Sequence, residues 1–190
     1  VTESQPKRAL ALVGMPGAGK SVCARYLEKR GFFQFRFGSI VVNEVLKRGL
    51  PLAPEYERAV REEFRAQDGM AAIAKRALPV LQAALDERDH IIIDGLYSWS
   101  EYKLLQRELG AQLIVVAVIC PRSLRYSRLA KRKERPLTTA EAEQRDYAEI
   151  ERLEKGGPIA MADYMLLNDG KKKTLLKQMK RLIKELDFDE

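Results

Sequence analysis

Gly14-Met15-Pro16-Gly17-Ala18-Gly19-Lys20-Ser21 lies between an apolar run at residues 9–13 and a segment of helical pattern at residues 22–30. The stretch fits G-x-x-x-x-G-K-[ST], a phosphate-binding loop in which glycines let successive backbone N–H groups turn toward phosphate oxygens. Gly14, Gly17 and Gly19 are the wrapping residues, with Met15, Pro16 and Ala18 between them, and Val22 leads from the loop into the helix. Lys20 supplies a point charge for the β- and γ-phosphates, the Ser21 hydroxyl is a magnesium ligand, and the helix N-terminus adds partial positive charge. A triphosphate of ATP or GTP size is the expected ligand. A strand before and a helix after separate this reading from a glycine-rich turn that matches by chance.

Outward from the loop, apolar runs alternate with amphipathic segments. Strands are expected at residues 9–13, 33–37, 91–94, 113–120 and 164–168. Their near-continuous apolar character suits parallel strands covered on both faces. Helices are expected at 20–30, 40–48, 54–67, 70–85, 100–109, 123–133, 139–154 and 174–186, with capping boxes at Ser98-x-x-Glu101 and Thr138-x-x-Glu141. Pro79 is expected to kink or divide the fourth of these. The pattern is α/β: five parallel strands with crossover helices, and a ligand crevice at the strands' carboxyl ends where the loop already lies. At 190 residues, without linker or repeat, the chain reads as one domain.

Ile91-Ile92-Ile93-Asp94-Gly95 adds the second chemical element. Three β-branched residues make a buried strand, and Asp94 emerges at its carboxyl end, on the sheet edge that carries the loop. A carboxylate there can hold magnesium through its water shell.

Charge is concentrated rather than spread. The net charge is +7, and residues 122–135 hold seven basic residues against Glu134 alone, which makes +6 in that stretch. Arg122, Arg125, Arg128, Arg132 and Arg135 step by three or four and so fall along one side of a helix, either as an anion-binding edge or as a solvated face. Lys171-Lys172-Lys173 reads as solvated surface. Cys23 and Cys120 are too few and too scattered for a disulfide framework or zinc site, and His90, the single histidine, suits a strand end. No apolar run approaches the roughly 18 residues of a membrane span. The polar residues 1–8 lack a leader pattern, so a cytoplasmic location and no membrane partner are expected.

Taken together, the loop, Ile93-Asp94-Gly95, Arg128-x-x-x-Arg132 and the closing Ala162-Asp163-Tyr164-Met165-Leu166-Leu167-Asn168-Asp169-Gly170 resemble the P-loop nucleoside-monophosphate kinase group. The chain is similar to adenylate kinases and adenylate-kinase-related proteins, and more distantly to dephospho-CoA kinases. The resemblance implies a P-loop NTPase three-layer α/β/α fold, a five-stranded parallel sheet with flanking helices, acceptor-side helices at about 38–86 and a short lid at about 131–145. It implies ATP as donor, Mg2+ at Ser21 and Asp94, and catalytic Lys20, Arg128 and Arg132. Arg128 matches the arginine that packs on adenine, Arg132 matches a lid arginine, Arg135 and Arg145 are further lid charges, and Asn168 matches the turn beside adenine.

The acceptor side departs from the family. Gly38-Ser39-Ile40-Val41-Val42 lacks the arginine that grips the acceptor phosphate, and in Asp94-Gly95-Leu96-Tyr97-Ser98 a second one is missing, at Ser98. Replacement cations are Arg36, Arg58, Arg61 and Arg65, the last three spaced by three and four among Glu57 and Glu62, a pattern that also suits a salt-bridged surface. Tyr97 and Trp99, with Phe35 and Phe37, could stack on a ring of the acceptor. An anionic acceptor needs cations and no base, whereas a hydroxyl needs a base and fewer cations. The expected function is ATP-dependent transfer of the γ-phosphate to a nucleotide-like small molecule. The alternatives are a kinase of a hydroxyl acceptor, such as a nucleoside or dephospho-CoA-like molecule, and a nucleotide-hydrolysing regulatory or RNA-binding module. Nucleic acid is the least expected partner, because the arginine-rich stretch coincides with the family's lid.

Overall fold

The computed structural model describes residues 6–188, so the first part of the polar start lies outside the described residues. Five strands form one parallel sheet: β1 (Arg8–Val13), β2 (Gln34–Arg36), β3 (His90–Asp94), β4 (Gln112–Ile119) and β5 (Tyr164–Leu167), in the order β2-β3-β1-β4-β5. The helices are α1 (Lys20–Lys29), α2 (Gly38–Lys47), α3 (Pro54–Asp68), α4 (Ala72–Glu87), α5 (Trp99–Glu108), α6 (Arg122–Ala130), α7 (Thr139–Glu151), α8 (Gly156–Ala160) and α9 (Lys172–Glu185).

Alternation along the strands makes two apolar layers. Ala9, Ala11, Ile91, Ile93, Val115 and Ala117 face α2 to α5. Leu10, Leu12, Ile92, Val116 and Val118 face α1 and α9. Ile91, Ile92 and Ile93 are fully buried, and each such side chain contributes roughly 1.5–3 kcal/mol on leaving water. β1 sits between β3 and β4, which puts the sheet's switch point at its carboxyl end. In register, Leu12 faces Asp94 across β1 and β3, and Val13 faces Ala117 across β1 and β4.

Both capping boxes form, at Ser98 with Glu101 and at Thr138 with Glu141. Pro79 does not divide α4. It lies on the exposed side while Ala77, Leu81, Ala84 and Leu85 hold the opposite face in the core, so packing outweighs one lost backbone bond. Two helices end earlier than expected. α6 stops at Ala130, and α7 at Glu151, after which Glu154 adopts φ 55 and the unforeseen α8 begins.

β5 is an edge strand whose outer rim is closed by a side chain. The Gln178 amide on α9 accepts from Leu167 N–H at 3.0 Å and donates to Leu167 C=O at 2.8 Å. No helix among the described residues is long and apolar enough to cross a membrane.

Candidate active site

The phosphate loop is shaped by what surrounds it. Gly14, Gly17 and Gly19 have φ of 144°, 79° and 113°, a region that side chains with a Cβ rarely adopt. A Cβ on Gly14 would lie 2.4 Å from the Val118 carbonyl oxygen, and one on Gly19 would lie 2.3 Å from Asn168 Nδ2. Three loop carbonyls accept from side chains: Gly14 from Lys20 Nζ at 2.6 Å, Pro16 from Arg125 at 3.0 Å, and Ala18 from Asn168 at 2.6 Å. The loop is thus held at its carbonyls, as a cradle built from N–H groups requires.

A cavity of about 390 Å3 opens over the loop, lined by Lys20, Ser21, Asp94, Arg132, Arg145 and Lys155 among others. Met15, Pro16, Gly17, Gly19, Val22 and Arg128 complete the donor side. Burial, with help from Lys155, lowers the Lys20 pKa to about 7, against the opposing pull of Glu149 and Asp94. Burial likewise raises the Asp94 carboxyl, while Lys20 and Arg36 oppose the rise. Arg132 is lowered by burial and by neighbouring Arg145. Lys20, Arg128, Arg132, Arg145 and Lys155 outnumber Asp94 and Glu149 in this lining, an excess of positive charge that fits a bound polyphosphate.

The donor set also fits magnesium. Ser21 and Asp94 offer a hydroxyl and a carboxylate, the hard oxygens that Mg2+ takes alongside substrate phosphates. No cluster of three or more His, Cys, Asp or Glu suited to a metal occurs among the described residues.

Next to the loop, a space of about 290 Å3 is bounded by Gly19, Val22, Arg128, Asn168, Gly170 and Leu175. Arg128 reaches Cys120 Sγ at 3.2 Å and Asn168 Oδ1 at 3.4 Å. Asn168 is buried, and its amide braces the loop through Ala18.

A third cavity, of about 250 Å3, lies under α2 and α3 and contains Arg61 and Arg65. Tyr97, Arg145 and Glu149 line both this cavity and the one over the loop, so the two meet there. Val42 is in its wall, whereas Ser98 is fully buried and occupied as the α5 cap. A larger cavity of about 640 Å3, at Arg30 to Phe33 and Asp86 to His90, opens at the amino ends of β2 and β3, opposite the loop.

Several expected residues lie elsewhere. The arginine stripe is not one face: α6 ends before Arg132 and Arg135, and Arg125 is buried. Arg125 is paired twice with Asp146 of α7, at 3.0 and 2.6 Å, as well as with Pro16. Periodicity carried the stripe past the helix end because nothing in residues 131–137 except Pro136 marks a stop. Trp99 stacks on Tyr102 at 5.0 Å with Gly157 against it, and takes no part in the third cavity. Phe37 is core as well as cavity wall, and Arg58 is exposed outside it. Arg36 approaches Glu28 at 3.6 Å and Asp94 at 3.9 Å.

Lys155 and Glu149 escaped the sequence reading. Glu149 accepts from Lys155 in a short contact and from Arg145 at 3.1 Å, and Lys155 sits 5.1 Å from the centre of the Tyr97 ring. The one available signal was Gly156-Gly157-Pro158, which follows the expected helix, opens α8 and lets it pack against Trp99.

A family model described as an AAA domain matches residues 10–152. A UPF0200 protein of Thermococcus gammatolerans is 38% identical over 178 residues, covering 92% of this chain and 93% of its own. Among solved structures, TT1252 of Thermus thermophilus aligns with a TM-score of 0.63 at 20% identity, covering 96% of this chain and 99% of its own. Shikimate kinase of Bacteroides thetaiotaomicron aligns with a TM-score of 0.59 at 14% identity, covering 94% and 98%. These structures share the fold, a five-stranded parallel sheet with flanking helices of the P-loop NTPase type. By the extent and identity of the sequence matches, the chain belongs to the UPF0200 family and carries its AAA domain.

Proposed function

We propose that the protein is an ATP-dependent phosphotransferase that moves the γ-phosphate to a small molecule held under α2 and α3. The observation that carries this reading is the meeting of two cavities at Tyr97, Arg145 and Glu149, one of them over the phosphate loop. A hydrolase needs only the first, whereas a transferase needs a second ligand in line with it. The shikimate kinase among the fold relatives adds to the case by likeness.

In this reading Gly14 to Gly19 cradle the phosphates, with Ser21 and Asp94 holding the magnesium that would neutralise charge on them. Lys20, Arg132 and Arg145 face the developing charge of the transferred group, where fixed cations in a water-poor site are most effective. Arg128 and Asn168 border the base. The segment from Lys131 to Arg145 serves as the lid whose closure excludes water. A nucleotide-like acceptor, as in the nucleoside-monophosphate kinases, remains the first candidate.

The absence of arginines at Val42 and Ser98, together with the raised Asp94 carboxyl, favours a second version in which the nucleophile is a hydroxyl. In this version Asp94 is freed from the metal, which Ser21 and the phosphates would hold, and its carboxylate accepts the hydroxyl proton as the new P–O bond forms. The test is a screen of nucleosides, nucleoside monophosphates, dephospho-CoA and small hydroxy acids with ATP and magnesium, reading ADP and the phosphorylated product. A phosphorylated product supports transfer, and its mono- or diphosphate form chooses between the versions. ADP formed with no phosphorylated product from any acceptor would replace transfer by hydrolysis.

A further inference from the structure

Arg61 and Arg65 line the cavity under α3, where Arg145 makes a third cation against Glu57 and Glu149. Neither makes a hydrogen bond or ion pair among the described residues, and Arg65 Nε is buried without a partner. A guanidinium half withdrawn from water without a bonded partner is unfavourable, and an anion in the cavity would complete it. The obvious internal partner is otherwise engaged. Glu101 accepts from the Tyr97 and Ser98 N–H groups through Oε2, and its Oε1 is unpartnered rather than bonded to Arg65.

The location is as informative as the missing partner. Burial lowers the Arg65 pKa, and the charges that then act on it are Glu101, Arg61, Glu62 and Glu154. Arg61 and Arg65 line this cavity and not the one over the phosphate loop, so they lie beyond the junction at Tyr97, Arg145 and Glu149. The cavity, at about 250 Å3, is also smaller than the ~300–1,000 Å3 that encloses a drug-sized ligand, and its remaining wall includes Val41, Ile73 and Leu153.

We propose that Arg61 and Arg65 anchor a carboxylate or phosphate on a compact acceptor, at the end of the molecule opposite its reacting group. The anion is a handle and not the nucleophile, which faces Tyr97 and Arg145. This rests on the phosphotransferase reading and adds the acceptor's class and polarity to it.

The experiment uses the full chain loaded with magnesium and a non-hydrolysable ATP analogue, so that the loop is filled. Inorganic phosphate and malonate are titrated separately by calorimetry into wild type, Arg61→Gln and Arg65→Met. At least one anion is expected to bind wild type and to bind each variant ~10-fold or more weakly, with analogue affinity unchanged. Preference for phosphate or for malonate tells which group the acceptor carries. Without anion, Arg65→Met is expected to melt roughly 2–4 °C higher, since an unpaired, half-buried charge has been removed. Equal anion affinity in wild type and variants, or no anion binding to loaded wild type, overturns the proposal. A lower melting temperature for Arg65→Met also overturns it, because Arg65 would then be the structural partner of Glu101. Failure of wild type to bind the analogue brings down the phosphotransferase reading itself, and the anchor with it.

Discussion

The two sides of the cleft treat their arginines in opposite ways. On the loop side, Arg125 is sealed between Pro16 and Asp146, and Arg128 rests on Cys120 and Asn168. On the α3 side, Arg61 and Arg65 have no partner among the described residues. Fixed cations make a site ready before its ligand comes, while unpaired ones leave the ligand to complete the structure. Under the proposed transfer reaction, the donor half would be specified by the protein alone, and the acceptor half by the protein together with its acceptor.

The largest test of this contrast removes the loop lysine. Lys20→Ala is expected to lower kcat/KM by at least ~10²–10³-fold with little change in melting temperature, because Lys20 bonds only the Gly14 carbonyl in the resting protein. Near-normal turnover in that variant would end the donor-site assignment. Next, Asp146→Ala leaves Arg125 buried and half-satisfied beneath the loop. It should destabilise the protein by about 3–5 kcal/mol in denaturant unfolding and weaken nucleotide binding as well. A small effect on both would show that Arg125 does not hold the loop. Arg132→Ala is milder: turnover should fall ~10–100-fold and ATP affinity much less, and equal losses would make it a ground-state contact.

The smallest effect is a pH dependence. The Lys20 pKa is depressed to about 7 in the protein without ligand, mainly by burial, and a bound polyphosphate would raise it again. Lys20 is thus charged below about pH 7 and loses its proton above it, so nucleotide binding above that point must take a proton up. Affinity should weaken by up to about tenfold per pH unit above 7, with proton uptake visible as a binding enthalpy that varies with the buffer's ionisation heat. The same depression makes Lys20 favour folding more as pH climbs from about 7 toward 10.5, where the unfolded chain holds the extra proton. Flat affinity across this range would place Lys20 in solvent rather than under the loop.

Legibility in the sequence followed the same divide. The five strands and eight longer helices were readable because apolar alternation and capping residues are local signals, as at Ile91–Ile93 and Ser98 to Glu101. The glycine loop was readable because its backbone shape restricts its residues. Arg125 was read on a stripe that serves either as an anion-binding edge or as a solvated face, and it lies on neither, since a period of three to four cannot tell a face that meets solvent from one that meets Asp146 twenty-one residues later. Lys155 had no periodic neighbour at all. Its position over Tyr97 depends on where the chain turns after α7, and that turn is set by the packing of Gly157 on Trp99.

Gln178 gives one further consequence. By meeting both backbone groups of Leu167, its side chain stands in for a sixth strand at the rim of β5. The backbone of Leu167 is therefore closed to another strand, beside the exposed apolar side chains of Met165 and Leu167. Two hydrogen bonds from one carboxamide thus do at an apolar margin what a neighbouring strand would otherwise do.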